Sequence, residues 1–153
     1  MGVWAIPTFA PKLLQKGEVE PTKVALARRI VLLAAVDTSP LAAEVLLKVA
    51  ELARRCDGEV VVLHVMQSDD VETIEQLRRE TQQLLADIRH RFITVVGVVS
   101  EEIVSVAGEY GVAEIVMGKR GHRLWDNVLV GSVSQAVLEK SLIPVVVVEK
   151  IKI

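Results

Sequence analysis

Aromatic residues and cysteine are both scarce in this sequence. Phe, Trp and Tyr make up 3% of the 153 residues, whereas hydrophobic residues as a whole make up 51%. The core must therefore be aliphatic, and an aliphatic core is typical of a buried parallel sheet, whose strands are almost continuous runs of Val, Ile and Leu. The single cysteine, Cys56, excludes an intrachain disulfide and suits a reducing compartment.

Strong net charge and long apolar runs are missing as well. The formal net charge is −2, so no overall electrostatic field favours nucleic acid or an anionic membrane. No segment approaches the ~18 uninterrupted apolar residues that a membrane span needs. The first residues, MGVWAIPTFAPKLL, lack the basic start and the continuous apolar stretch of a secretory signal. We therefore expect a soluble, cytoplasmic protein that has neither nucleic acid nor a membrane as a partner.

The chain is predicted to consist of an extension followed by one domain. Residues 1–27 carry three of the five prolines and show no sustained hydrophobic period, so they are interpreted as an extension that is partly ordered at most. Residues 28–153 have a length that fits a single domain. Within this domain, short apolar runs alternate with segments of helical period. The runs predict strands at 30–36, 59–66, 92–96, 113–117 and 145–149.

The alternation of strands and helices predicts an α/β fold class. It indicates a parallel sheet covered by helices on both faces. Because crossovers between parallel strands are right-handed, the five-stranded sheet is predicted to be open and doubly wound. Ligands bind to such sheets beyond the carboxyl ends of the strands, where the strand order reverses. In a 3-2-1-4-5 order, the ends of strands 1 and 4 flank this crevice, and they carry Asp37 and a glycine-rich stretch.

The glycine-rich stretch, GKRGHRLWDNVLVGS at 118–132, has the composition of a phosphate-binding loop. Gly118 and Gly121 allow a sharp turn and a close approach of the backbone to a ligand. Gly131 then leads into a helix whose free N–H groups and positive dipole end attract anions. The first turn of that helix offers two hydroxyl groups, and the loop carries three basic side chains. These residues are Ser132, Ser134, Lys119, Arg120 and Arg123.

Simpler structural interpretations remain open beside this one. Ser132 and Gln135 have the spacing of a capping box, which would occupy the same N–H groups, and the glycines could serve only to let the loop turn. The stretch is not a Walker A loop, since no Gly-Lys-Ser/Thr sequence ends it. His64 lies inside an apolar strand and is interpreted as a hydrogen-bonded core histidine in preference to a ligand.

The spacing Gly-x2-Gly-x9-Gly-Ser after an Ile-Val-Met strand resembles the ATP-binding motif of the universal stress protein family. Three further segments resemble other parts of that family. AVDTS at 35–39 resembles the end of the first strand, VVVLHV at 60–65 the second strand, and GSVSQAVLEKSLIPVVVV at 131–148 the closing helix and strand. The resemblance covers residues 28–149 and implies a 3-2-1-4-5 sheet and a nucleotide-binding domain over 28–153.

The resemblance also implies a ligand and the residues that hold it. The ligand is ATP or another adenine nucleotide, alone or with Mg²⁺. Asp37 matches a nucleotide-facing aspartate near the ribose, and Val65 matches the position whose backbone meets the adenine edge. The other matched positions lie on the ribose and phosphate side: Met117, Gly118, Gly121, Gly131, Ser132, Val133 and Ser134. Asp126 adds a carboxylate inside the loop, so Asp37 or Asp126 is the candidate ligand of a nucleotide-bound Mg²⁺.

These features together favour an ATP-binding protein of stress response or regulation that has no catalytic residue of its own. A slow Mg²⁺-dependent ATPase or phosphoryl-transfer enzyme is the alternative. A nucleotide-free dimerisation module is a third possibility.

The fifth predicted strand indicates how two copies associate. In a 3-2-1-4-5 order this strand lies at the sheet edge, and it contains four consecutive valines at 145–148, whereas natural edges are usually short, charged or covered. Pairing with the same strand of a second copy would bury these valines, so we expect a homodimer. In the alternative, the N-terminal extension folds over the edge and the protein stays monomeric.

Overall fold

Five strands and four helices alternate along the part of the chain that the structure, a computed structural model, describes. This part comprises residues 29–68, 71–119 and 132–149, so the predicted extension over 1–27 lies outside it. None of the four described helices is long and apolar enough to cross a membrane. In chain order the elements are β1 (Val31–Ala35), α1 (Leu41–Cys56), β2 (Glu59–Met66), α2 (Val71–Leu84), β3 (His90–Val96), α3 (Val99–Glu109), β4 (Glu114–Gly118), α4 (Ser132–Lys140) and β5 (Val145–Val148).

All five strands belong to one parallel sheet in the order β3-β2-β1-β4-β5. β1 is the central strand, with Leu33 opposite Val61 of β2 on one side and opposite Ile115 of β4 on the other. The predicted strand order and the parallel arrangement are therefore confirmed. Leu33 and Ile115 are fully buried, because helices cover both faces of the sheet, and this explains why the strands are continuous apolar runs.

Each face of the sheet has its own aliphatic core, because successive strand residues point to opposite faces. On one face α1 and α2 pack over the strands, for instance through Leu46 and Leu77. On the other face α3 and α4 contribute Ile103 and Val137. Among the described residues, Phe92 is the one aromatic side chain in the buried part of either cluster. The aliphatic core that the composition predicts is confirmed.

The end of β4 differs from the prediction in a way that affects the site. The sequence predicts a strand at 113–117, but β4 includes Gly118, because Gly118 still pairs with Val148 of β5. The ladder even continues one group further, since Lys119 donates its N–H to the carbonyl oxygen of Val148 at 2.7 Å. Gly118 is thus held in the sheet and is not the first residue of a free loop.

The topology determines where a ligand can bind. From β1 the chain passes through α1 to β2 on one side, and from β3 it passes through α3 to β4 on the other side of β1. The carboxyl ends of β1 and β4 are therefore neighbours, and the helices that follow them, α1 and α4, pack on opposite faces of the sheet. This arrangement opens a crevice at the strand ends, which is the usual ligand site of an open α/β sheet.

Candidate functional site

A cavity of about 460 Å³ opens at the carboxyl ends of β1, β2 and β4. The first residues of α1, α3 and α4 also border it. Its volume is in the range of small-molecule and cofactor sites, and its position is that of the predicted crevice. Every predicted site residue within the described ranges lines it: Asp37, Val65, Met117, Gly118, Lys119, Ser132, Val133 and Ser134.

The turn after β1 forms one wall of the cavity. Oδ1 of Asp37 accepts the backbone N–H of Ser39 at 2.9 Å, and Oγ of Ser39 accepts the N–H of Leu41 at 3.3 Å. The first bond binds an N–H group of the turn and the second binds the first N–H group of α1, so both stabilise the turn that leads into the helix. Asp37 is half-buried and is the only carboxylate among the described residues that line the cavity.

A second wall of the cavity is apolar. Val65, near the end of β2, and Met117, near the end of β4, are 6% and 4% exposed. Both belong to the core cluster that includes Ile103 of α3, and all three residues line the cavity. Aliphatic and thioether side chains can cover a flat ring without requiring a hydrogen bond from it. This wall is therefore suited to a heteroaromatic base.

Gly118 makes room for α1 at the cavity wall. A Cβ atom added to Gly118 would lie 2.6 Å from Cδ2 and 3.1 Å from Cγ of Leu41. A distance of 2.6 Å is too short for two carbon atoms, so any larger residue would displace Leu41, which itself lines the cavity. The sequence predicts a sharp turn beside the ligand at this glycine, whereas the structure shows a strand residue on which a helix packs closely.

The amino end of α4 borders the cavity through Ser132, Val133 and Ser134. Ser132 and Val133 are exposed, whereas Ser134 is 1% exposed. The hydroxyl of Ser134 donates its hydrogen toward two carbonyl oxygens, that of Gly118 at 2.8 Å and that of Lys119 at 3.0 Å. A phosphate would have to compete with both for this hydrogen. Ser134 therefore ties α4 to the end of β4, and Ser132 supplies the exposed hydroxyl at this end of the cavity.

The capping box that the sequence allows at the start of α4 is not formed. α4 already begins at Ser132, so Ser132 lies inside the helix and not at the capping position before it. The side-chain amide of Gln135 donates to Glu139, one turn further along, at 3.2 Å. The first N–H groups of a helix point out of its amino end. In α4 this is the end that borders the cavity.

The basic residues of the glycine-rich stretch are described only in part. Nζ of Lys119 donates to Oε1 of Glu149 at 2.9 Å, and the lysine side chain is 19% exposed. Its charge is therefore partly offset by a carboxylate just after β5. The other predicted residues of the stretch lie outside the described ranges, and their part in the site stays a prediction. They are Arg120, Gly121, Arg123, Asp126 and Gly131.

The prediction that His64 is a hydrogen-bonded core residue is confirmed, and His64 is also a residue of the cavity wall. The side chain is 2% exposed, and its Nδ1 lies 3.0 Å from the carbonyl oxygen of Val36. The sequence alone does not predict that His64 lines the cavity. The signal for it is the position of His64 near the carboxyl end of β2, one residue before Val65, since that end of a parallel strand faces the crevice.

Comparison with known proteins agrees with this fold. A sequence profile of the universal stress protein family matches residues 29–149. The chain belongs to the universal stress protein family. Among its relatives, universal stress protein MJ0577 of Methanocaldococcus jannaschii is 36% identical over 77 residues, which are 50% of this chain and 46% of that protein. The sequence match thus spans less than half of that relative's length.

Solved structures of universal stress proteins share the fold over most of the chain. The structure of MJ0577 superimposes with a TM-score of 0.66 and 30% identity, covering 81% of this chain and 98% of that one. A universal stress protein in complex with cAMP has a TM-score of 0.65 at 17% identity, covering 79% and 97%. One from Archaeoglobus fulgidus in complex with dAMP has a TM-score of 0.62 at 22% identity, covering 78% and 96%. At these last two identities the likeness concerns the fold alone.

Proposed function

We propose that this universal stress protein binds an adenine nucleotide in the cavity at the carboxyl ends of β1, β2 and β4. The observation that carries the proposal is that one cavity of about 460 Å³ is bordered by an apolar wall, a carboxylate and a helix amino end. A nucleotide has three matching parts. The base fits the wall of Val65 and Met117, the ribose hydroxyls can donate to Asp37, and the phosphates fit the amino end of α4.

Two kinds of support bear on the identity of the nucleotide. The family members solved with cAMP and dAMP hold ligands that share adenine. The sequence from Gly118 to Ser134 includes three basic side chains, and several positive charges suit a ligand with more than one phosphate. We therefore propose ATP as the ligand. We also propose a regulatory role in the stress response, in the cytoplasm, that depends on the bound nucleotide.

The purified protein should release an adenine nucleotide when it is denatured, and mass spectrometry of the released material identifies it. After removal of that ligand, calorimetric titration with ATP, dAMP and cAMP should show one site per chain, with and without Mg²⁺. Titration with adenosine is the matched control, because adenosine lacks the phosphates that α4 attracts. A protein that carries no nucleotide and shows no binding to any of the four compounds would contradict the proposal and favour a nucleotide-free dimerisation module.

A slow Mg²⁺-dependent ATPase is the second candidate, and Asp37 is the observation that favours it. A half-buried carboxylate at the cavity is the type of oxygen ligand that Mg²⁺ prefers. In the described ranges, no group of three or more His, Cys, Asp and Glu side chains could hold a metal ion. The Mg²⁺ would therefore arrive bound to the phosphates of the nucleotide, and a single carboxylate would complete its shell.

Asp37→Asn tests this candidate. Asparagine keeps an oxygen that can accept the N–H of Ser39, but it lacks the charge that attracts Mg²⁺. If the protein is an ATPase, phosphate release at saturating ATP and Mg²⁺ should fall about tenfold in the variant, which is about 1.4 kcal/mol in the activation free energy. Saturating nucleotide removes any contribution from weaker binding. A wild-type protein whose phosphate release does not exceed that of a Mg²⁺-free control is not an ATPase.

We propose further that two copies of the chain pair along β5. This strand lies at the edge of the sheet, beyond β4, and each of its four valines is only half-buried. In the described part of the chain its outer backbone groups face no further strand. Antiparallel pairing with the β5 of a second copy would bind these groups and cover the valines.

Val147→Lys should dissociate this dimer. Val145 packs against one core cluster, and Val146 and Val148 pack against the other. Val147 belongs to neither cluster, so a charge at this position should destabilise the β5–β5 contact more than the fold of the single chain. We expect sedimentation to shift from dimer to monomer, with Val147→Thr, which keeps the branched shape, remaining dimeric. A wild-type chain that sediments as a monomer at tens of micromolar would contradict the dimer and favour a covering N-terminal extension.

A further inference from the structure

We propose that His64 is a positioning residue of the nucleotide site, acting through the turn that carries Asp37. The inference rests on the proposed nucleotide binding and goes beyond it. His64 is a hydrogen-bonding residue that is 2% exposed and is among those that line the cavity, yet none of the ligand groups assigned above requires it. Its hydrogen bond to the carbonyl oxygen of Val36, just after β1, indicates that it orients the turn that follows.

The ring of His64 holds the residue at which β1 ends. Nδ1 lies 3.0 Å from the carbonyl oxygen of Val36, the first residue after the strand. A carbonyl oxygen can only accept, so Nδ1 carries a hydrogen and donates it. The N–H of Val36 is donated to the carbonyl oxygen of Leu63 at 2.9 Å. Both backbone polar groups of Val36 are therefore bound by β2, one by its backbone and one by the His64 side chain.

The orientation of the Val36 carbonyl determines where the Asp37 side chain starts. This carbonyl and the backbone nitrogen of Asp37 belong to one planar peptide group, so fixing the oxygen fixes the plane from which the Asp37 side chain leaves. Asp37 then accepts the N–H of Ser39, and Ser39 accepts the N–H of Leu41. Three successive hydrogen bonds thus connect the ring in β2 to the first turn of α1, and the Asp37 carboxylate lies in the middle of them.

A merely structural histidine would satisfy the Val36 carbonyl without affecting the ligand through Asp37. The two roles differ in whether the effect of His64 on nucleotide affinity depends on Asp37. Positioned polar groups bind more tightly because they do not have to be ordered when the ligand arrives. Loss of the ring's hydrogen bond should therefore weaken binding only while the Asp37 carboxylate is present.

The pair His64→Leu and His64→Asn isolates the hydrogen bond. Leucine and asparagine have the same branched shape, but asparagine places an amide N–H two bonds from Cβ, where Nδ1 of histidine lies. By calorimetry with ATP and Mg²⁺, we expect His64→Leu to bind about tenfold more weakly than wild type and His64→Asn to bind within about threefold of it. In an Asp37→Ala background the two His64 variants should bind ATP equally.

Two affinity results would overturn the proposal. His64→Asn as weak as His64→Leu would show that the ring acts by packing or by touching the ligand. An equal loss from His64→Leu with and without the Asp37 carboxylate would show that the effect does not pass through Asp37.

Amide hydrogen exchange of the nucleotide-free protein provides a readout that needs no ligand. The amides of Ser39 and Leu41 should exchange faster in His64→Leu than in His64→Asn, whereas the amide of Val62, in the core of β2, should exchange equally in both. Equal exchange at Ser39 and Leu41 would overturn the proposal. A wild-type protein that binds no adenine nucleotide would overturn the proposed function, and the exchange result alone would then decide whether His64 holds the Asp37 turn.

Discussion

Gly118→Val should weaken nucleotide binding at least a hundredfold, about 2.8 kcal/mol, while the protein stays folded. The first atom that the substitution adds, Cβ, would lie 2.6 Å from Cδ2 of Leu41, so the leucine side chain must move. The end of a leucine side chain is flexible, which limits the cost in stability, and valine is favoured in strands such as β4. Gly118 and Leu41 both line the cavity, so we expect the displaced leucine and the new methyl groups to take up part of its volume. The substitution should therefore reduce nucleotide affinity more than it reduces the stability of the fold.

Two further variants separate crowding from a general effect of replacing glycine. Gly108→Ala is the matched control, since a Cβ at Gly108 meets no atom within 4 Å, and alanine inside α3 should leave affinity unchanged. Leu41→Ala should restore part of the affinity that Gly118→Val loses, because it removes the Leu41 atoms that the new Cβ would meet. Gly118→Val with wild-type affinity by calorimetry, in a protein with a normal unfolding transition, would show that the ligand does not use this wall.

Much of the fold could be predicted from the sequence, because its signals are local. β2 has the predicted bounds, 59–66, because Gly58 before the apolar run and the polar segment after it mark both ends of the strand locally. The end of β4 was predicted one residue too early, because glycine after an apolar run usually marks a turn. Gly118 stays in the ladder because Val148 pairs with it, and Val148 lies far along the chain. A boundary that depends on a distant strand has no local signal.

The composition of the site could be predicted as well, but the hydrogen bonds of its residues could not. Residue types at strand ends, such as Asp37, are visible in the sequence. The partners of Ser134 and Lys119 are not, because Ser134 binds carbonyls at the end of β4 and Lys119 binds Glu149, 30 positions away. His64 shows the same limit, since its partner Val36 lies 28 positions earlier. Such contacts follow from the strand order and register, which bring distant segments together.

Ser134→Ala should destabilise the protein by about 1–3 kcal/mol, because two carbonyl oxygens at the end of β4 lose their donor. Ser134 is 1% exposed, so water cannot easily replace its hydroxyl. The loss should show as a lower midpoint of urea unfolding, in the absence of nucleotide. Ser132→Ala is the matched control. It also removes a hydroxyl group from α4, but Ser132 is exposed and lies two residues before Ser134. Its effect on stability should stay within about 0.5 kcal/mol.

Nucleotide affinity should distinguish the two serines as well, because here the direct effect is expected from Ser132. Ser132 is the exposed hydroxyl at the amino end of α4, so Ser132→Ala should weaken ATP binding severalfold without any change in the unfolding midpoint of the free protein. Ser134→Ala also weakens binding to the extent that α4 moves, but its loss of stability appears before any ligand is added. A Ser134→Ala protein with wild-type stability and reduced affinity would show that this hydroxyl serves the phosphates and not the carbonyls of Gly118 and Lys119.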